Sequence, residues 1–166
     1  MKRFQALVEH WPGCLSREML PGHLTASAWV VSPEQEEVLL THHRKLGTWV
    51  QLGGHADDDP CLPAVARREA LEESGVDSLL SAFDFDGEWT IFDLDIHEIP
   101  PYGPVPAHLH YDVRFAFVAP ERMEPRVSDE SHDVRWVPIR DLSRYTVEES
   151  MVRMAQRWLA REAAPD

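Results

Sequence analysis

Glu69, Glu72 and Glu73 stand at positions i, i+3 and i+4 in the run GGHADDDPCLPAVARREALEESGV, residues 53–76. On a helix that spacing puts the carboxylates on one face. Like charges so placed repel by ~0.2–0.5 kcal/mol per pair in an isolated helix, and a hard divalent cation reverses the sign. Carboxylate oxygens on one side, with water and phosphate oxygens elsewhere in the shell, are what magnesium or manganese takes. Upstream, Gly53 and Gly54 let the backbone turn sharply or approach a ligand closely. A Glu-rich helix alone also reads as a solvated face. What distinguishes this one is the whole arrangement of glycine pair, acidic loop Asp57-Asp58-Asp59 and carboxylate-bearing helix.

That arrangement resembles the Nudix box, which runs Gly, five residues, Glu, seven residues, Arg-Glu, an apolar residue, one residue, Glu-Glu, one residue, Gly, and an apolar residue. Gly54 opens it, Arg68-Glu69 falls at the required distance, and Ala70, Glu72-Glu73, Gly75 and Val76 follow. The departure is Pro60, where the family carries its first Glu, a residue that often pairs with the box Arg. One of Asp57, Asp58 or Asp59 is available to replace it. The resemblance implies an α/β fold, an α/β/α sandwich with a mixed sheet between helices. It implies that Glu69, Glu72 and Glu73 bind magnesium (or manganese), with a carbonyl of Gly53 or Gly54 as a further ligand, and that Arg68 orients the glutamates. A general base, if not one of these glutamates, is expected at Glu130, with Asp129 second; Ser128 to Asp133 reads equally as a polar turn. The implied reaction is hydrolysis of the diphosphate bond in a nucleoside diphosphate linked to another moiety, a small-molecule substrate.

A frame must carry these side chains. Phe4, Leu7, Val8 and Trp11 predict a short amphipathic helix, ended by Pro12-Gly13. Residues 25–31 (TASAWVV) and 38–41 (VLLT) predict strands, and residues 49–52 a short apolar piece running into the glycines. Leu62, Val65, Ala66 and Leu71 predict a helix over 62–74, with Gly75 as its stop. Strands are expected at 79–85, 89–97, 110–118 and 134–139, with the proline-rich 99–108 as a surface loop. A last helix over 147–161 would bury Met151, Met154, Ala155, Trp158 and Leu159. This order predicts a mixed sheet covered by helices on both faces. It predicts one domain over 1–166, with 1–20 a helical extension outside the resemblance.

Other side chains invite chemistry. His108, His110 and Asp112 alternate, so one strand face holds all three. With His97 and His55 they read either as a second, zinc-like metal site or phosphate contact, or as a polar strand face beside the active site. His42, His43, Arg44 and Lys45 form the basic cluster of an acidic chain, read either as a substrate contact or as a basic hairpin loop. Arg44, Lys45, Trp49, Gln51 and His55 are the expected substrate contacts. Cys61 has no His at a spacing that would make it a nucleophile.

Composition narrows the field. The net charge of −13 weighs against a nucleic-acid partner, but not against phosphate chemistry in which a cation screens the repulsion. No run approaches the ~18–20 apolar residues of a membrane helix, and the N-terminus lacks the apolar stretch of a secretory leader. Cys14 and Cys61 suggest no disulfide framework, so a reducing cytoplasm is expected. Competing readings are a catalytically weak nucleotide-binding or regulatory module, an isoprenoid diphosphate isomerase and an RNA 5′-end hydrolase. The intact Arg68, Glu69, Glu72 and Glu73 weigh against the first, unsuitable cysteines against the second, and the charge against the third. The substrate is left open, as is assembly, many relatives being homodimers.

Overall fold

The computed structural model describes residues 1–85, 88–129 and 131–162. Strand β1 (Gly22–Val31) is buried along its entire length. It pairs in parallel with β9 (His108–Val118), from Gly22↔Leu109 to Val31↔Val118. Its other edge is shared: β4 (Leu52–His55) takes Thr25 to Ala28 and β2 (Glu37–His43) the last two positions, both antiparallel. Outside these lie β10 (Ser131–Pro138) on β2, β3 (Trp49–Val50) on β2, and β8 (Asp93–Ile99) and β5 (Leu80–Ser81) on β9. The result is the expected mixed sheet.

Period-two alternation sends the two faces of β1 to different layers. Leu24, Ala26, Ala28 and Val30 join Val65, Ala66 and Ala70 of helix α2 (Leu62–Ser74) in one core. Trp29 and Val31 join Met151, Met154 and Trp158 of helix α3 (Glu149–Glu162) in the other. Helix α1 (Lys2–His10) adds Phe4 and Leu7 to the α2-side core. Val8 and Trp11, which share the apolar spacing, are exposed, Val8 on the helix and Trp11 just past its end.

The expected strands over 79–85 and 89–97 are broken. After Ala82, whose N–H still donates to the Ala116 carbonyl of β9, the chain departs, and β6 (Asp84–Phe85) pairs instead with β7 (Glu88–Trp89). The break coincides with an aromatic cluster: Phe83 and Phe92 stack at 6.0 Å and both meet the Trp158 ring of α3. A 3₁₀ turn (Ile139–Arg144) links β10 to α3. Among the described residues no helix is long and apolar enough to cross a membrane.

Between β8, β9 and α3 lies a charged layer. The buried Arg114 guanidinium donates to Asp112 at 2.7 Å and lies 3.7 Å from Asp93 and 3.5 Å from Asp95. Arg153 and Arg157 of α3 close on Asp93 at 2.6 and 3.0 Å. Buried ions are tolerable only when paired in this way. The His97 imidazole at 3.3 Å, then Arg114 and Arg153, hold the Asp95 carboxyl well below its ordinary 3.8. A depressed carboxylate stabilises the fold fully above the unfolded-state value and loses that contribution as pH falls below it. Asp95→Asn should therefore flatten the loss of Tm on acidification from about pH 5 to about pH 3. Parallel Tm–pH curves for variant and parent would contradict this.

Candidate functional site

Helix α2 carries the box side chains, and its phase sets where they point. At about 100° per residue, Glu69 and Glu73 fall in angle between Val65 and Ala66, which are fully buried. A helix cannot press long carboxylates onto a sheet unless the sheet leaves room. Gly54 of β4 leaves it, and Gly53 lets β4 approach β1 closely. A Cβ on Gly54 would lie 2.6 Å from the Glu69 carboxyl carbon, and one on Gly53 would lie 2.7 Å from the Ala26 carbonyl oxygen. The Gly53 N–H donates to Glu73 Oε2 at 3.2 Å. Glu72 is exposed, at the rim of a shallow cleft shared with Arg67, Arg68 and Trp89. Gly75 ends the helix in the left-handed conformation.

The Glu69 carboxyl is set between burial and a partner. Burial pushes the Glu69 carboxyl up, opposed by the Arg68 guanidinium, which donates to Glu69 Oε1 at 3.1 Å. On its other side Arg68 lies 3.6 Å from Asp59. Asp59 thus stands beside the box arginine, where Pro60 leaves the family's Glu missing. The loop before it is braced by the N-terminal segment. Arg17 donates to both Asp57 oxygens, which depresses the Asp57 carboxyl, and the Asp58 N–H donates to the Leu15 carbonyl at 3.2 Å. Asp57 and Asp58 take positive φ, 48° and 66°, a conformation Asp tolerates better than most residues. Hard oxygen donors meeting a backbone cradle that a single Cβ would fill suit magnesium or manganese.

The expected substrate contacts fall into separate groups. The Trp49 ring packs against His42 at 5.2 Å and Tyr145 at 6.0 Å, with the Arg135 guanidinium 5.0 Å above it. Gln51 donates to Asp112 Oδ2 at 3.1 Å, and Thr25 and Ser27 donate to Oδ1 of the same carboxylate at 3.0 and 2.8 Å. Asp112 therefore belongs to a hydrogen-bonded floor shared with Arg114, apart from the histidines. Arg44 is exposed but tied, its Nε donating to the Ser131 carbonyl at 2.8 Å, and Lys45 lies over the Tyr102 ring at 5.2 Å. His55 joins a histidine group with His23, His97, His108 and His110. Glu130 lies outside the described residues. Its neighbour Ser131 is anchored to β2 through Thr41 at 2.6 Å.

Sequence reasoning missed His23, Arg114, Arg135 and Tyr145. His23 precedes the expected strand start, and the other three reach their partners only through strand register and the α3-side connection.

Residues 21–158 match the family model of the NUDIX domain. No curated protein sequence matches the chain. Among solved structures, the dihydroneopterin triphosphate pyrophosphohydrolase of E. coli aligns with TM-score 0.62 and 16% identity, over 83% of this chain and 95% of that one. A NUDIX-family hydrolase from Clostridium perfringens aligns with TM-score 0.56 and 24% identity, over 84% and 97%. The NUDIX domain of Shewanella oneidensis NrtR, solved with ADP ribose, aligns with TM-score 0.52 and 17% identity, over 98% and 99%.

Gly54→Ala tests the cradle. The added methyl must displace the Glu69 side chain, which can rotate, so the fold should persist while divalent-metal affinity falls roughly ten- to hundred-fold. Isothermal titration with magnesium or manganese measures this, and unchanged affinity would exclude the cradle as part of a metal site.

Proposed function

The chain belongs to the Nudix family and is a pyrophosphohydrolase of it, and from that premise we propose that it cleaves the diphosphate bond of a nucleoside diphosphate linked to a second moiety. Glu69, Glu72, Glu73 and a carbonyl of the Gly53–Gly54 pair would hold magnesium or manganese. The observation that carries this reading is the convergence of Glu69 and Glu73 on the glycine pair. When bound, the ion supplies positive charge opposite the phosphate oxygens, where negative charge builds in the transition state.

The chain's own groups do the rest. Arg68, backed by Asp59, keeps the Glu69 carboxylate in place, and the Gly53 N–H aims Glu73. Trp49, between His42 and Tyr145, offers an aromatic face for a nucleobase. Gln51 and His55, and Arg44 and Lys45 with their positive charge, are the further proposed substrate contacts. Glu130, followed directly by the anchored Ser131, is the proposed general base. The N-terminal segment belongs to the same working unit through the Arg17–Asp57 pair. The nucleotide ligand in the NrtR structure supports the substrate class. The free Cys14 and Cys61 fit a reducing cytoplasm.

The test is an assay against ADP-ribose, nucleotide sugars, dinucleoside polyphosphates and nucleoside triphosphates with magnesium or manganese. At least one should turn over, chelator should abolish it, and Glu73→Gln should reduce kcat/KM by roughly a hundred-fold or more. If nucleotide binds and no compound on a broad panel is hydrolysed, the catalytic reading falls and a binding module takes its place.

A further inference from the structure

One cluster of titratable side chains reaches the site above through His55 alone, and its other members take no part in it. His23 on β1 pairs in register with His110 on β9, and His110 with His97 on β8. His55 of β4 and His108 of β9 complete the group. The His23 ring centroid lies 5.2 Å from His55, 5.1 Å from His108 and 4.9 Å from His110. Alternation along β4 puts the His55 side chain on the face opposite Gly54, so the cluster and the box glutamates occupy opposite faces of the sheet.

The hydrogen bonds of this group specify what it can bind. His23 is 1% exposed. Its Nδ1 lies 3.2 Å from the Met19 carbonyl, which only accepts, so Nδ1 carries the proton and Nε2 the lone pair. The same holds for His108, whose Nδ1 donates to the Pro106 carbonyl at 2.9 Å. Nε2 of His23 and Nε2 of His110 are buried, and among the described residues neither has a hydrogen-bond partner. A ligating nitrogen from each of His23, His108 and His110 falls within 4.8 Å of the others. We propose that His23, His108 and His110 form a zinc site that ties the start of β1 to the start of β9.

Three clustered imidazoles, two of them with Nδ1 fixed on a backbone carbonyl, have the make-up of a zinc ligand set. Ligands 2.0–2.1 Å from a tetrahedral ion stand about 3.3 Å apart, so the rings need draw in by no more than about 1.5 Å. The fourth position falls to water or to an outside ligand. Burial, reinforced by the neighbouring histidines, pushes His110 down to about 2, and burial with Arg17 pushes His55 down to about 4. Neutral rings offer lone pairs to a cation and do not attract an anion. Arg17 on one side and Asp57 on the other are the charged groups facing His23 and His55, and they form an ion pair with each other. Imidazole nitrogen favours zinc over magnesium, which takes oxygen.

Full-length protein, stripped with chelator and dialysed, is titrated with zinc chloride by calorimetry. The expected result is one tight equivalent per chain, kept by Glu73→Gln and weakened roughly a hundred-fold or more in His108→Gln/His110→Gln. Circular dichroism establishes whether the double variant is folded. X-ray absorption of zinc-loaded wild-type protein answers independently of any variant, and nitrogen scatterers at 2.0–2.1 Å with imidazole outer-shell features are expected. No tight equivalent in the wild type, unchanged affinity in a folded double variant, or a sulfur or all-oxygen shell would each overturn the proposal.

Discussion

A helix with an apolar face must press that face on the sheet, and α2 has two glutamates inside the arc of that face. Turning the helix about its axis to bring Glu69 and Glu73 to solvent would carry Val65 and Ala66 out of the core. β4 relieves the conflict by placing Gly54, with no side chain, opposite Glu69. Gly54 thus gives the Glu69 carboxyl its place between α2 and the sheet. The same contact brings backbone amide and carboxylate together, so core packing and site geometry share one cause. The order of β4 and α2 then follows: the strand pairs with β1 over Thr25–Ala28, and the helix lies across both.

The chain between β4 and α2 has to reverse direction under a heavy negative charge. Pairing handles that charge locally. Asp57 is neutralised from outside the box by Arg17, and Asp59 by Arg68 from inside it. The ion pairs are partly exposed, so each contributes little by itself, on the order of 0–1 kcal/mol. Their effect is geometric: they fix a loop whose residues 57 and 58 sit at positive φ. An extension that precedes the matched region therefore reaches the box loop directly.

The placement of the box residues was legible because they stand at fixed spacing along one strand–loop–helix run. Gly54, Arg68, Glu69, Glu72, Glu73 and Gly75 could be placed without any tertiary information. The two layers of helices were legible from periodicity, since Met151, Met154, Ala155 and Trp158 recur at helical spacing and end in the core. The replacement of the box Glu could be narrowed to three aspartates but not to Asp59, since three adjacent acids in a loop look alike until the turn selects one. The broken strands over 79–97 were not legible, because Phe83 and Phe92 fit a strand pattern as well as they fit the Trp158 ring. Asp112 was grouped with the histidines by alternation alone. Strand pairing assigns it instead to Thr25, Ser27, Gln51 and Arg114.

His23 shows what register adds. Parallel pairing with β9 spans the whole of β1, so a shift by one residue would send His23 to the α2 side and Leu24 to the polar side. The apolar demand of Leu24, Ala26, Ala28 and Val30 forbids that shift, and it thereby forces His23 onto His110. The polar face then grades along the strands, from imidazoles, through the Asp112–Arg114 layer, to Trp29 in the α3 core. A carboxylate among the imidazoles would make one mixed site able to take either class of ion. Because Asp112 is consumed by Arg114 and the box carboxylates lie across the sheet, oxygen and nitrogen donors stay apart. The donor chemistry of each group, not its overall affinity, then decides which ion it accepts.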